Sequence, residues 1–195
     1  MLIYDIEIVN AVPPRDGVKE EGINYCAGWS DHKGMGIAVL GVYDYVRDCA
    51  RVFCKDNLSE FAELITKHDV LIGFNNLRFD NPILLANNVP INNVPCYDLF
   101  IEIQRGLELD FNDPRQRRAG YSLQAVAYAN FRLSKSGSGA EAPQAWQRGR
   151  IGSVIDYCLF DVYLTKRLID RIIRAGALTD PLDAHPIPIR RPGSF

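Results

Sequence analysis

Hydrophobic and polar positions alternate from the first residues. In LIYDIEIV (residues 2–9), Leu2, Tyr4, Ile6 and Ile8 lie on one side and Ile3, Asp5, Glu7 and Val9 on the other, a strand pattern. AVPPRDGVKEEG, with prolines and glycines, reads as a loop. Residues 23–30 (INYCAGWS) and 36–43 (GIAVLGVY) predict two more strands about the turn-rich DHKG, so the first three strands would form an antiparallel meander. From Leu58 to Lys67 the period becomes helical, with Phe61, Leu64 and Ile65 as the apolar stripe and Asn57 or Ser59 as the cap. Val70–Phe74 is a short apolar run of the buried-strand kind, ending at Asn75-Asn76. Helices are predicted over Phe79–Asn87, with Pro82 in the first turn, over Tyr97–Arg105, and over Ser122–Phe131 with Ser122 as cap. SKSGSGAEAP (134–143) predicts a mobile loop, and Ile151–Ala175 the longest helix.

Strands followed by helices predict an α/β chain with a mixed sheet: antiparallel first strands plus parallel strands, flanked by helices. Residues 1–175 would form one domain. Residues 176–195, with four prolines and little periodicity, would form an extended or partly disordered tail.

Composition narrows the class. The chain has 195 residues, 47% of them hydrophobic and 24% charged, the balance of a globular fold that buries roughly 70% of its unfolded surface. Its five cysteines form no CxxC pair, which predicts reduced thiols in a cytoplasmic, intracellular setting. The N-terminus carries no basic leader and no span long enough for a bilayer, so no membrane association is expected. A net charge of −2 excludes a protein that coats nucleic acid by bulk charge alone. It does not exclude an enzyme whose bound cations supply positive charge locally.

Three acidic constellations stand out. Asp5 and Glu7, two apart on a strand, leave the same face; a solvated strand edge would look the same. Asp80 follows IGFNNLRF at the start of a helix, where an acid also simply complements the dipole. Tyr157 and Asp161 are one helical turn apart, an ordinary helix contact when taken alone.

Together they are more specific. DIE (Asp5, Glu7), NNLRFD (Asn75, Phe79, Asp80) and YCLFD (Tyr157, Asp161) stand in the order of the three motifs of the DEDD superfamily of 3′→5′ exonucleases, which the chain resembles over roughly residues 1–175. The superfamily is related to the proofreading domains of DNA polymerases. A tyrosine at 157 resembles its tyrosine branch (DEDDy); the histidine branch would need a His at 156, where Asp156 stands. The resemblance implies an RNase H-like, DnaQ-like fold and a hydrolase that releases 5′-mononucleotides from the 3′ end of nucleic acid. Single-stranded DNA would be favoured over RNA.

It also implies two divalent cations, Mg²⁺ or Mn²⁺, held by Asp5, Glu7, Asp80 and Asp161, with Tyr157 orienting the attacking water. Oxygen-only ligands suit such hard ions. Asn75 and Phe79 would shape the substrate pocket, and Asp98 would support it. Lys135 and Arg148, bracketing the Gly/Ser loop, and Arg115, Arg117 and Arg118 would hold backbone phosphates. Trp29 and Trp146 are read as packing residues. A polymerase or another replication or repair protein is the implied protein partner. Two other readings stand beside this one: a catalytically inactive RNase H-like module that binds nucleic acid or a partner, and a proofreading subunit that acts only with a polymerase.

Overall fold

The computed structural model describes residues 1–91, 93–110, 113, 119–134 and 139–193. In chain order the elements are β1 (Leu2–Ile8), α1 (His32–Met35), β2 (Ile37–Asp44), β3 (Cys49–Phe53), α2 (Leu58–Ile65), β4 (Leu71–Gly73) and α3 (Asp80–Ala86). They continue with β5 (Cys96–Asp98), α4 (Leu99–Gly106), α5 (Leu123–Phe131), α6 (Ala142–Gln147), α7 (Ile151–Ala175), β6 (Ala177–Thr179) and β7 (Pro186–Pro188).

The main sheet has the order β3-β2-β1-β4-β5. β1 pairs antiparallel with β2 and β2 with β3, whereas β4 pairs parallel with β1 and β5 parallel with β4. This is the mixed sheet flanked by helices that the pattern predicts. β1 is central, and its alternation gives each face a different job. Leu2, Tyr4, Ile6 and Ile8 pack in one apolar layer with Phe61 and Leu64 of α2 and Ile83 of α3. On the opposite face Ile3 packs with α5, α7 and the β6–β7 hairpin, and α6 and the first half of α7 cover the β2 side.

The second strand of the meander differs from the sequence reading. Residues 23–30 form no strand; Tyr25 makes an isolated bridge to Ala11, and Gly28 takes a positive φ of 146° that breaks extended pairing. The third strand is instead Cys49–Phe53, whose outward Arg51 breaks the apolar signal while Phe53 is buried. Tyr97 lies on a short strand rather than in a helix, because Asp98 caps α4 and starts it at Leu99. α6 (Ala142–Gln147) begins inside the segment 134–143 read as loop, with a proline in its first turn. The tail residues 177–188 form a hairpin that buries Leu178 and Ile187.

Gly41 stands opposite Asp5 in the β1–β2 register and lets α7 approach the sheet. A Cβ there would lie 3.0 Å from Cys158 Sγ, 3.3 Å from Val162 Cγ2 and 3.5 Å from Leu159 Cδ2, all on α7. A 25-residue helix packed along its length cannot retreat at one point. Gly41→Ala should therefore destabilise the fold by about 1–2 kcal/mol. A lowered urea midpoint at unchanged m-value is the expected readout; an unchanged midpoint would show that α7 accommodates the methyl group.

Candidate active site

Alternation along β1 turns Asp5 and Glu7 toward α7, and the helical period of α7 turns Asp161 back toward β1. The three carboxylates offer oxygens that all lie within 4.8 Å of one another. Glu7 and Asp161 are 6% and 7% exposed, and Asp5 is half-buried. At about 5 Å and an effective dielectric near 20, like charges repel by roughly 3 kcal/mol per pair. A divalent cation among the three would turn that repulsion into attraction. The register shift between Glu7 and Ile8 marks an irregularity in the strand at the site's edge.

Asp80 lies outside this triad but lines the same cavity. Its Oδ1 accepts the Ile6 N–H at 3.1 Å, which ties the start of α3 to β1. Burial raises its pKa to about 7; backbone N–H groups oppose the rise, and the charges of Asp98 and Asp161 add to it. A second tie runs through Tyr4, whose hydroxyl donates to Asn81 Oδ1 and accepts from Asn76 Nδ2 at 2.8 Å.

The loop before α3 is held by one buried carboxylate. Asp98 accepts the N–H groups of Asn75 (2.8 Å), Leu77 (3.1 Å), Phe100 (3.0 Å) and Ile101 (3.4 Å). Asn75 has φ 62°, in the left-handed region that asparagine tolerates better than most residues, and the Asp98 contact fixes it there. The supporting role read for Asp98 thus takes a concrete form: it caps α4 and anchors the Asn75 turn together.

Tyr157 lines the cavity one turn before Asp161, and its hydroxyl lies 3.6 Å from the position of a Cβ on Gly139. Asp156, at the histidine-branch position, is exposed. Behind Asp5, the buried Cys158 donates its thiol to the Asp5 carbonyl at 3.3 Å and to Asp5 Oδ2 at 3.6 Å. Burial keeps that thiol protonated, as do the charges of Asp5 and Glu7.

The cavity measures about 720 Å³, and Asn75 and Phe79 line it as well. Arg148 does not; it pairs with Glu20. Lys135 and the Arg115, Arg117 and Arg118 cluster fall outside the described residues. Sequence reasoning missed the far wall, which the β1–β2 loop supplies through Pro13, Pro14, Arg15, Tyr25 and Trp29. Trp29 is 68% exposed, so the packing role read for it does not describe its setting. Trp146, by contrast, is partly buried against an apolar cluster. The AVPPRDG segment was the available signal, but irregular backbone gives no period that would point it at a site. Among the described residues, no helix is long and apolar enough to cross a membrane.

No protein-family profile and no curated protein matches the chain. Among solved structures it is similar to the family B DNA polymerase from the hyperthermophilic archaeon Pyrobaculum calidifontis, with a TM-score of 0.60 and 17% sequence identity. The match covers 88% of this chain and 24% of the polymerase, so the chain spans about a quarter of that protein's length. At this identity the likeness is one of fold.

Proposed function

We propose that the chain is a metal-dependent 3′→5′ exonuclease that shortens single-stranded DNA from its 3′ end. The observation that carries this reading is the convergence of Asp5, Glu7 and Asp161 within 4.8 Å, on the floor of a cavity that Asp80 and Tyr157 also line. These five residues come from the three segments that resemble the DEDDy motifs. The likeness in fold to part of a DNA polymerase is consistent with a substrate that is nucleic acid.

The donor set is all carboxylate and largely buried, which fits Mg²⁺ or Mn²⁺ and disfavours softer ions. Asp5, Glu7 and Asp161 would hold one cation between them, and Asp80 would complete the set for a second. When bound, the ions supply charge neutralisation at the scissile phosphate and a more acidic water. Tyr157, which lines the cavity one turn before Asp161, would orient that water through its hydroxyl. The water oxygen would bond to phosphorus as the bond to the 3′ oxygen of the penultimate sugar breaks, the water's proton passing to solvent and the leaving oxygen taking one from solvent to become a 3′-hydroxyl. A 5′-mononucleotide leaves and the strand is one residue shorter.

The polymerase likeness also favours a second reading, in which the chain serves as the proofreading partner of a separate polymerase. Activity of the isolated protein separates the two. A single-stranded oligodeoxynucleotide labelled at its 3′ end should lose label at the start of the reaction with Mg²⁺ or Mn²⁺, and keep it in EDTA. Early loss from a 5′ label would reject the polarity. No loss without an added polymerase would favour the second reading. A matched ribo-oligonucleotide in the same assay should be a poorer substrate.

A further inference from the structure

Trp29 is a large aromatic side chain left in solvent at the edge of the site, 68% exposed. Its indole leans on Phe79, with ring centroids 6.3 Å apart and planes inclined by 59°, so one side is backed while most of the surface stays open. Tryptophan is highly buried on average, and one held open over a cavity invites a partner.

The segment that carries it is fixed in place. Cys26 N–H donates to the Ala11 carbonyl at 3.0 Å. Gln147 of α6 receives the Asn24 N–H at 2.7 Å and donates to the carbonyls of Val9 (2.8 Å) and Asn24 (3.1 Å). The wall is therefore preorganised, and little ordering is left for binding to accomplish. The same cavity is lined by the acidic cluster of Asp5, Glu7 and Asp161. Gln144, whose Oε1 is buried without a hydrogen-bond partner, belongs to the same lining.

A nucleotide has the matching polarity: a flat base at one end and a phosphate that cations can hold at the other. We propose that Trp29, backed by Phe79, is the platform on which the unpaired base at the 3′ end stacks. Trp29 is then a specificity-determining residue for single-stranded ends. This rests on the nuclease reading and adds the means of selection. Stacking accepts any base, because every base has a π-face. The 3′-terminal base of a duplex is held by its paired partner and must first be freed from it before it can turn onto the platform.

The chain has two tryptophans, so in a Trp146→Phe variant the emission reports Trp29 alone. A single-stranded oligodeoxynucleotide, titrated in Ca²⁺ to slow turnover, should quench it saturably. A strand of equal length ending in an abasic 3′ residue, or a blunt duplex, should bind at least about tenfold more weakly. Trp29→Ala should raise KM roughly tenfold on the intact strand with kcat little changed, and have no effect on the abasic strand; Trp29→Phe should restore most of the loss. Equal quenching by intact and abasic ends, or an equal KM effect on both, would overturn the proposal. If Trp146→Phe does not fold, anisotropy of the labelled strands with Trp29→Ala gives the same comparison. Base-dependent quenching without nucleotide release would keep the platform and reject hydrolysis by the isolated chain. Release without base-dependent quenching would do the reverse.

Discussion

Asp5→Ala should abolish nucleotide release, by at least about 10³-fold, while the circular dichroism spectrum stays that of the wild type. The carboxylate comes from the central strand and is one of the three that converge, so its loss would remove a ligand from the proposed cation site. Losing a single hydrogen-bond donor to a transition state already costs roughly 10²–10³ in kcat; loss of a metal ligand should exceed that, because it disturbs both charge and geometry. The backbone of β1 keeps its pairing with β2 and β4, so the fold has no reason to fail. Mn²⁺ should raise the melting temperature of the wild type, since a ligand that binds only the folded state stabilises it, and should do so weakly or not at all in Asp5→Ala. Wild-type turnover in the variant would reject the assignment of the site.

The second large effect is on the pH dependence of stability without metal. Asp80 keeps its proton to about pH 7 in the folded chain, against an ordinary aspartate value of 3.8, mainly because it is buried. Between those values the folded state binds more protons than the unfolded state, so stability falls as pH rises. Asp80's contribution is fully present below about pH 4 and is lost as pH climbs through 7. Asp98 is shifted in the same direction, also by burial, and adds to the slope. In EDTA the melting temperature should therefore drop between pH 5 and pH 8. Asp80→Asn should flatten much of that drop, because the amide oxygen can still accept the Ile6 N–H and carries no charge. Saturating Mn²⁺ should flatten it in the wild type by favouring the ionised carboxylate. A slope identical in wild type and Asp80→Asn would assign the effect to other groups.

Elements with a full period were legible from sequence. β1, α2, α5 and α7 each repeat their apolar positions often enough to declare strand or helix, and α7 keeps its bounds to the residue. β5 spans only three residues, too few to show an alternation beside the helix that follows. β7 hid behind Pro186 and Pro188, which read as breakers although proline is tolerated on an edge strand. At the site, the facing of Asp5 and Glu7 follows from strand geometry and that of Asp161 from helix geometry, so their meeting needed only the correct sheet order. Trp29 and Arg15 reach the cavity from a long loop whose path depends on ties to Gln147 and Met35. Such ties are long-range hydrogen bonds that no local pattern encodes. The raised pKa of Asp80 was likewise a matter of burial, which sequence spacing does not report.

The first strand lies between neighbours contributed by different parts of the chain, and the carboxylate at position 161 arrives on a helix made long after that strand. No short fragment holds the complete acidic floor. A nascent polypeptide emerging from the ribosome therefore lacks the cluster of three carboxylates until the helix over 151–175 has docked. Assembly of that cluster is withheld from shorter nascent chains by topology alone.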